Sequence, residues 1–213
     1  MIKKGLLAFS LLFLFSAAAF SDTARPYIGF KGAVSFIESN FDLGYYYDYH
    51  RRHYYNNYYY EDRYYDKSTD TVFAGSAALG VKVLKYTRFE VEYTHRTEAK
   101  QSYRWFPDIK QEFDSFMANV FFDLDMTPSF VPYMGFGLGL THVEDKIFYT
   151  GTKKQKSDDC FSASIDFGIS FVLTKHLNLD VGCRVIYLGA SDIEYEDYYM
   201  YAVDLYSGLR LTI

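Results

Sequence analysis

His50 and His53 stand three residues apart beside Asp48, Glu61 and Asp62, a set of nitrogen and oxygen donors of the type that binds a divalent metal. Arg51 and Arg52 lie between the histidines and repel a cation, so the segment reads as a solvated loop without a metal. Gly135, Gly137 and Gly139 alternate strictly, whereas a phosphate-cradling loop needs Gly-x-Gly-x-x-Gly opening a helix. Their spacing is a packing pattern. A hydrolytic centre needs a serine beside a histidine oriented by a third group. Alternation gives His142 the neighbours Phe116, Ala118, Phe161 and Ala163, and none of them carries a hydroxyl. Cys160 and Cys183 are too few for a disulfide framework and too far apart in sequence for a zinc site. No catalytic group, metal or cofactor is expected.

The remaining chemistry is recognition. Between Ile37 and Thr71 lies GYYYDYHRRHYYNNYYYEDRYYDKS, with eleven tyrosines: Tyr45, Tyr46, Tyr47, Tyr49, Tyr54, Tyr55, Tyr58, Tyr59, Tyr60, Tyr64 and Tyr65. Tyrosine offers a large, stiff contact surface with a hydrogen-bonding tip at low entropic cost, which is why binding loops favour it. The plainer alternative is a biased loop that coats a surface or touches lipopolysaccharide headgroups.

What positions such a loop is set by the rest of the chain. Lys3 and Lys4 precede an uncharged run from Gly5 to Phe20 that passes through Ala17, Ala18 and Ala19, the layout of a secretory signal peptide. Cleavage after Ala19 or Ser21 starts the mature chain near Asp22 and gives residues 1–21 as the leader and 22–213 as one domain. A retained helical span would need ~20 apolar residues, and no later stretch supplies one. Removing Lys3 and Lys4 leaves 20 basic against 27 acidic residues, a net charge of −7 that argues against a nucleic-acid partner. Aromatic residues make up 21% of the chain, with 23 Tyr and 20 Phe, and membrane interfaces are a natural place for them.

Period-2 alternation, the strand signal, recurs eight times. The runs are Tyr27 to Phe36, Val72 to Val83, Arg88 to Arg96, Ser115 to Asp125, Met134 to Thr141, Phe161 to Thr174, Leu177 to Val185 and Ala202 to Ile213. In the fourth run Met117 and Phe121 break the polar face. Long segments follow runs one, three, five and seven; short turns follow the others, at Lys85 to Thr87, between Pro128 and Pro132, and at Lys175 and His176. An even strand number with long loops at one end and short turns at the other predicts an all-β, eight-stranded, antiparallel up-and-down transmembrane barrel.

The second face decides which way the sheet is turned. It mixes Gly, Ala and Ser with Lys31, Lys82, Arg88, Arg184 and Arg210 and with Glu90, Glu92, Asp123, Asp166, Asp180 and Asp204. Small residues on some strands make room for long charged ones from others, which fills a narrow eight-stranded interior. Those charges are expected to pair across the lumen, because an unpaired ion there costs several kcal/mol. The oily face then meets lipid. A soluble lipocalin-like carrier would exchange the two faces, and a charged lumen counts against it.

PYMGFGLGLT at Pro132 to Thr141, FMANVFFDLD at Phe116 to Asp125 and LNLDVGCRVIYLG at Leu177 to Gly189 resemble the small outer membrane β-barrel family. That family includes opacity-type surface proteins and the barrel half of outer membrane protein A, and the similarity runs from Tyr27 onward. The resemblance implies a Gram-negative outer membrane, outer membrane lipid and lipopolysaccharide as surroundings, and the assembly machinery as a partner during insertion. It also implies a terminal aromatic, whereas this chain has Gly208, Leu211 and Ile213. Barrels of this kind that transfer palmitoyl groups begin with an amphipathic helix, for which there is no room before Tyr27. The functions to weigh are therefore a non-enzymatic surface binder or adhesin acting on a host or cell-surface ligand, and a structural protein of the envelope.

Overall fold

The computed structural model describes residues 24–42, 65–101, 109–124, 127, 129–149, 152–193 and 196–213. These form eight strands: β1 (Arg25–Asp42), β2 (Tyr65–Leu84), β3 (Thr87–Gln101), β4 (Ile109–Asp123), β5 (Phe130–Tyr149), β6 (Thr152–Val172), β7 (Leu177–Ile193) and β8 (Glu196–Thr212). Each pairs antiparallel with its neighbours in sequence, and β1 pairs with β8 to close the barrel. Closure leaves no sheet edge, the condition for crossing hydrocarbon with strands.

The apolar alternation becomes the outer wall. Phe30, Phe73, Leu79, Phe89, Phe136, Leu138, Phe161, Phe167, Leu205 and Leu209 are all exposed there. On β6 the belt runs from Phe171 to Phe161, about ten residues or ~33 Å along the strand, which at the usual tilt is ~25 Å of membrane. Tyr93, Tyr187 and Tyr201 lie at its outer margin.

Strand count and facing follow the alternation, but the lengths do not. All eight strands begin or end beyond the periodic runs on the side of the long connections. The segment read as a loop from Ile37 to Thr71 is partly ladder, with Ile37 opposite Asp70 and Asp42 opposite Tyr65. Only 150–151 separate β5 from β6, and only 194–195 separate β7 from β8, so the long connections expected there are hairpin arms. The reason is physical. Beyond the membrane the outer face meets water instead of lipid, so the hydrophobic period disappears while backbone pairing continues, as in Glu144-Asp145-Lys146 against Gln155-Lys156-Ser157, where Asp145 is buried on the inner face. Pro132, read as turn, lies inside β5 close to its start, where its carbonyl accepts from Leu124 N.

Among the described residues one glycine has a left-handed backbone. Gly189 has φ 117° beside the register shift between β7 and β8, and a Cβ there would collide with Cβ of Cys160.

Candidate functional site

The interior fills in two storeys. Outward from the short turns, β7 sends inward Asp180, Gly182 and Arg184, then Ile186 and Leu188; β8 sends Arg210, Gly208, Tyr206 and Asp204, then Ala202 and Met200. The lower storey is polar and the upper one largely apolar, with a buried Gln111–Asp145 hydrogen bond beside Met200.

Glu92 is the centre of the lower storey. Arg184 Nη1 and Nη2 donate to its two carboxylate oxygens at 2.7 and 3.0 Å, Lys31 Nζ adds a third bond at 2.6 Å, and Arg184 Nε reaches Asp166 at 2.8 Å. Lys31 also bonds Glu90 at 2.7 Å, which accepts from the Tyr27 hydroxyl at 3.1 Å. Nearer the short turns, Asp123 accepts from Arg88 Nε at 2.8 Å and Lys82 Nζ at 2.9 Å, while Arg210 Nη2 donates to Ser170 at 2.7 Å and Asp180 at 3.2 Å. Arg96 and Asp204 meet at 2.6 Å on top of this layer. Bidentate, multiply bonded pairs of this kind tolerate burial because every charge keeps partners.

Sequence reasoning left several members out of this network. Arg96 lies on the polar face of the third run yet is fully buried with Asp204, Ser35 and Ser115 as partners. Tyr27, Tyr133 and Tyr206 are interior too, the last two bonded through their hydroxyls at 2.9 Å. Phe121, which breaks the polar alternation, is the platform for two cations, Lys31 at 5.5 Å and Arg88 at 4.8 Å from its ring centre. Its parity with Asn119 and Asp123 was the available signal.

The upper storey was not foreseen. Ile37, Val72, Ala99, Phe113, Met117, Val143, Ile186, Leu188, Met200 and Ala202 form one buried apolar cluster inside the barrel, a septum above the charges. Within the charged storey, the gap lined by Lys31, Glu92, Arg184, Asp204 and Tyr206 measures about 10 Å³, room for one water and no solute.

On the outer wall, His142 has neighbours other than those the alternation gave it. Its Nδ1 lies 2.7 Å from Asp159, and Asp114 stands opposite on β4. Asp114 in turn contacts His95 at 2.8 Å and accepts from the Tyr93 hydroxyl at 2.7 Å. The expected apolar neighbours sit one or more rungs further along the belt because the pairing partners of His142 are Asp114 and Asp159 themselves. This row of alternating His and Asp borders the apolar belt, and Glu112, Glu144 and Lys146 continue it outward.

Among the described residues no group of three or more His, Cys, Asp and Glu is arranged to hold a metal ion. His50, His53 and the tyrosines from Tyr45 to Tyr64 lie outside the described residues, and Tyr65 opens β2.

A closed eight-stranded barrel with an oily exterior and a salt-bridged lumen is joined by a sequence match to the outer membrane protein beta-barrel domain over residues 7–203. The chain belongs to that family. As an outer membrane protein beta-barrel, it sits among lipids of the Gram-negative outer membrane. Its fold is similar to that of Neisserial surface protein A, with a TM-score of 0.56 and 18% identity over 89% of this chain and 99% of that one. Ail, the attachment invasion locus protein of Yersinia pestis, aligns with a TM-score of 0.42 and 12% identity over 86% of this chain and 98% of that one. No curated protein matches this outer membrane barrel by sequence.

Proposed function

We propose that the mature barrel, after removal of residues 1–21, displays the tyrosine-rich segment from Tyr45 to Tyr65 at the cell surface, where it binds a host, cell-surface or envelope-glycan ligand without catalysis. The filled lumen carries this reading. A barrel whose lumen is closed to through passage by the septum and the charged layer has the mouth beyond them left as working surface, and the longest connection at that mouth runs from Asp42 on β1 to Tyr65 on β2. Its tyrosines are the residues best suited to contact. Deleting 43–64 while keeping both strands is the test. Attachment of intact cells should fall with the envelope unimpaired.

The row of His95, Asp114, His142 and Asp159 with Glu112 and Lys146 above it favours a second reading. Charged side chains just outside the apolar belt suit lipopolysaccharide headgroups and their cations. As a structural protein the barrel would strengthen the envelope, and loss of the whole chain, but not of 43–64, would sensitise cells to detergent.

A further inference from the structure

The end of the barrel that carries the short turns holds a cavity unlike the rest of the lumen. It encloses about 190 Å³ and is lined by Arg25, Lys82, Lys175 and Arg210, with Asp123 as the one acidic side chain in the lining. That carboxylate is already committed, accepting from both Lys82 and Arg88. Asp180, beside the cavity, is likewise engaged by Arg210. The cationic excess is local, because the chain as a whole carries a net charge of −5.

A second observation points the same way. Arg88 is 2% exposed, its Nε is held by Asp123, and its Nη2 has no hydrogen-bond partner. Its guanidinium is fixed over the rings of Phe121 and Tyr133 at 4.8 and 5.0 Å. Arg88 lies behind the lining rather than in it, and its charge, bonded to Asp123, adds to the positive field at the cavity. The septum of Phe113, Met117 and Leu188 closes the other end of the lumen, so this cavity opens only past the short turns, on the periplasmic side. Of the four cations only Arg210 is buried, and the others stand at the cavity's open rim.

We propose that this periplasmic mouth binds a phosphate group, gripped by Arg25, Lys82, Lys175 and Arg210. Arginine forks and a lysine ammonium around a pocket a few times the size of one phosphate match a multivalent oxyanion better than a neutral solute. The group has two sources: free periplasmic phosphate compounds, or the headgroup of a phospholipid in the adjoining leaflet.

The experiment uses the full mature chain, isotope-labelled and folded in a maltoside detergent, which carries no phosphate. Inorganic phosphate should shift the amides of Arg25, Lys82, Lys175 and His176 saturably, while chloride at matched ionic strength should not. Arg25 and Lys175 are exposed and hold no structural bond, so the double variant Arg25→Gln, Lys175→Gln folds, as heat-modifiable gel migration will verify. Its affinity for phosphate should drop at least about tenfold. In phospholipid nanodiscs without added phosphate, amides already at their shifted positions identify the lipid headgroup as the source. Amides that move only on adding phosphate identify the free anion. Shifts that are linear with salt, equal for chloride, or unchanged in the double variant overturn the proposal.

Discussion

Phe121 and Gly135 face each other across the β4–β5 ladder, and the phenyl ring occupies the space that a side chain at 135 would need. The next rungs repeat the arrangement, Asn119 opposite Gly137 and Met117 opposite Gly139. The glycine run is thus the complement of three successive interior side chains of β4. Gly135→Ala should destabilise the barrel by about 1–3 kcal/mol, because a Cβ there meets the ring and crowds Asp166. In the Phe121→Leu background the same change should cost markedly less. Urea unfolding in phosphatidylcholine vesicles measures both, and strict additivity of the two changes would count against the packing argument.

Depth within the network ranks the charges. Arg184→Met strands Glu92 and Asp166 in a buried layer and should cost about 3–5 kcal/mol. Lys82→Met should cost about 1 kcal/mol or less, since the Lys82 side chain is 35% exposed and Asp123 keeps Arg88. The same unfolding assay compares them, and equal losses would show that the lower storey has no graded interior.

Strand number, facing and the charges at Glu92, Arg184 and Asp166 were legible because each membrane-spanning strand obeys one rule, oily outside and small or charged inside. The rule fails in two places, for different reasons. In the outer arms, such as Glu144 to Lys146, the outer face meets water and the inner face buries the polar Asp145, so no hydrophobic period marks the strand. In the septum, Ile186 and Met200 are apolar on the inner face, so the chain is oily on both sides and its parity carries no sign. His142 was misread by pairing rather than by facing, since its rung partners depend on a register that alternation alone leaves open. The cavity at Arg25 and Lys175 joins chain segments that no sequence spacing connects.

Because the septum and the salt-bridged layer lie in series, the barrel should not pass solutes. Liposomes containing it should swell in small sugars no faster than protein-free ones. Phe113→Ala, which thins the septum, should leave that result unchanged, because the Glu92–Arg184 layer still blocks the path. Porin-like swelling by the unaltered protein would mean that the lumen opens in a bilayer.

Acid should weaken the outer arms before the spanning wall. Glu98, on the extension of β3, accepts from Lys110, and that hydrogen bond, reinforced by the nearby charges of Lys146 and Lys100, holds its carboxyl below the usual glutamate range. A lowered native value means that its contribution is fully present above the ordinary value of about 4.3 and is lost as pH falls through the native one. Carboxyl-detected titration should find Glu98 titrating below ~4.3, and Lys110→Gln should move it upward. An unmoved midpoint in that variant would remove Lys110 as the cause.

The two thiols test register directly. Cys160 is buried on the inner face, where its Sγ–H donates to Ala190 O at 3.1 Å, while Cys183 shares the outward parity of Val181 and Val185. Cys183 stands opposite Phe167, one residue from the Gly168 that hairpin counting from Lys175 gives. Cys160 is therefore about seven residues further along β6, some ~23 Å away, against the ~4.4–6.8 Å between Cα atoms that a disulfide needs. Both cysteines should stay reduced in the oxidising periplasm. In unreduced protein unfolded by denaturant, two alkylations per chain are expected. In folded protein, a lipid-soluble maleimide should label Cys183 and spare Cys160, since only the former faces the bilayer. Failure of both thiols to react after unfolding would require a bridge, and with it a β6–β7 register shifted by several residues, which would also separate Arg184 from Asp166 and dissolve the pair at the centre of the lumen.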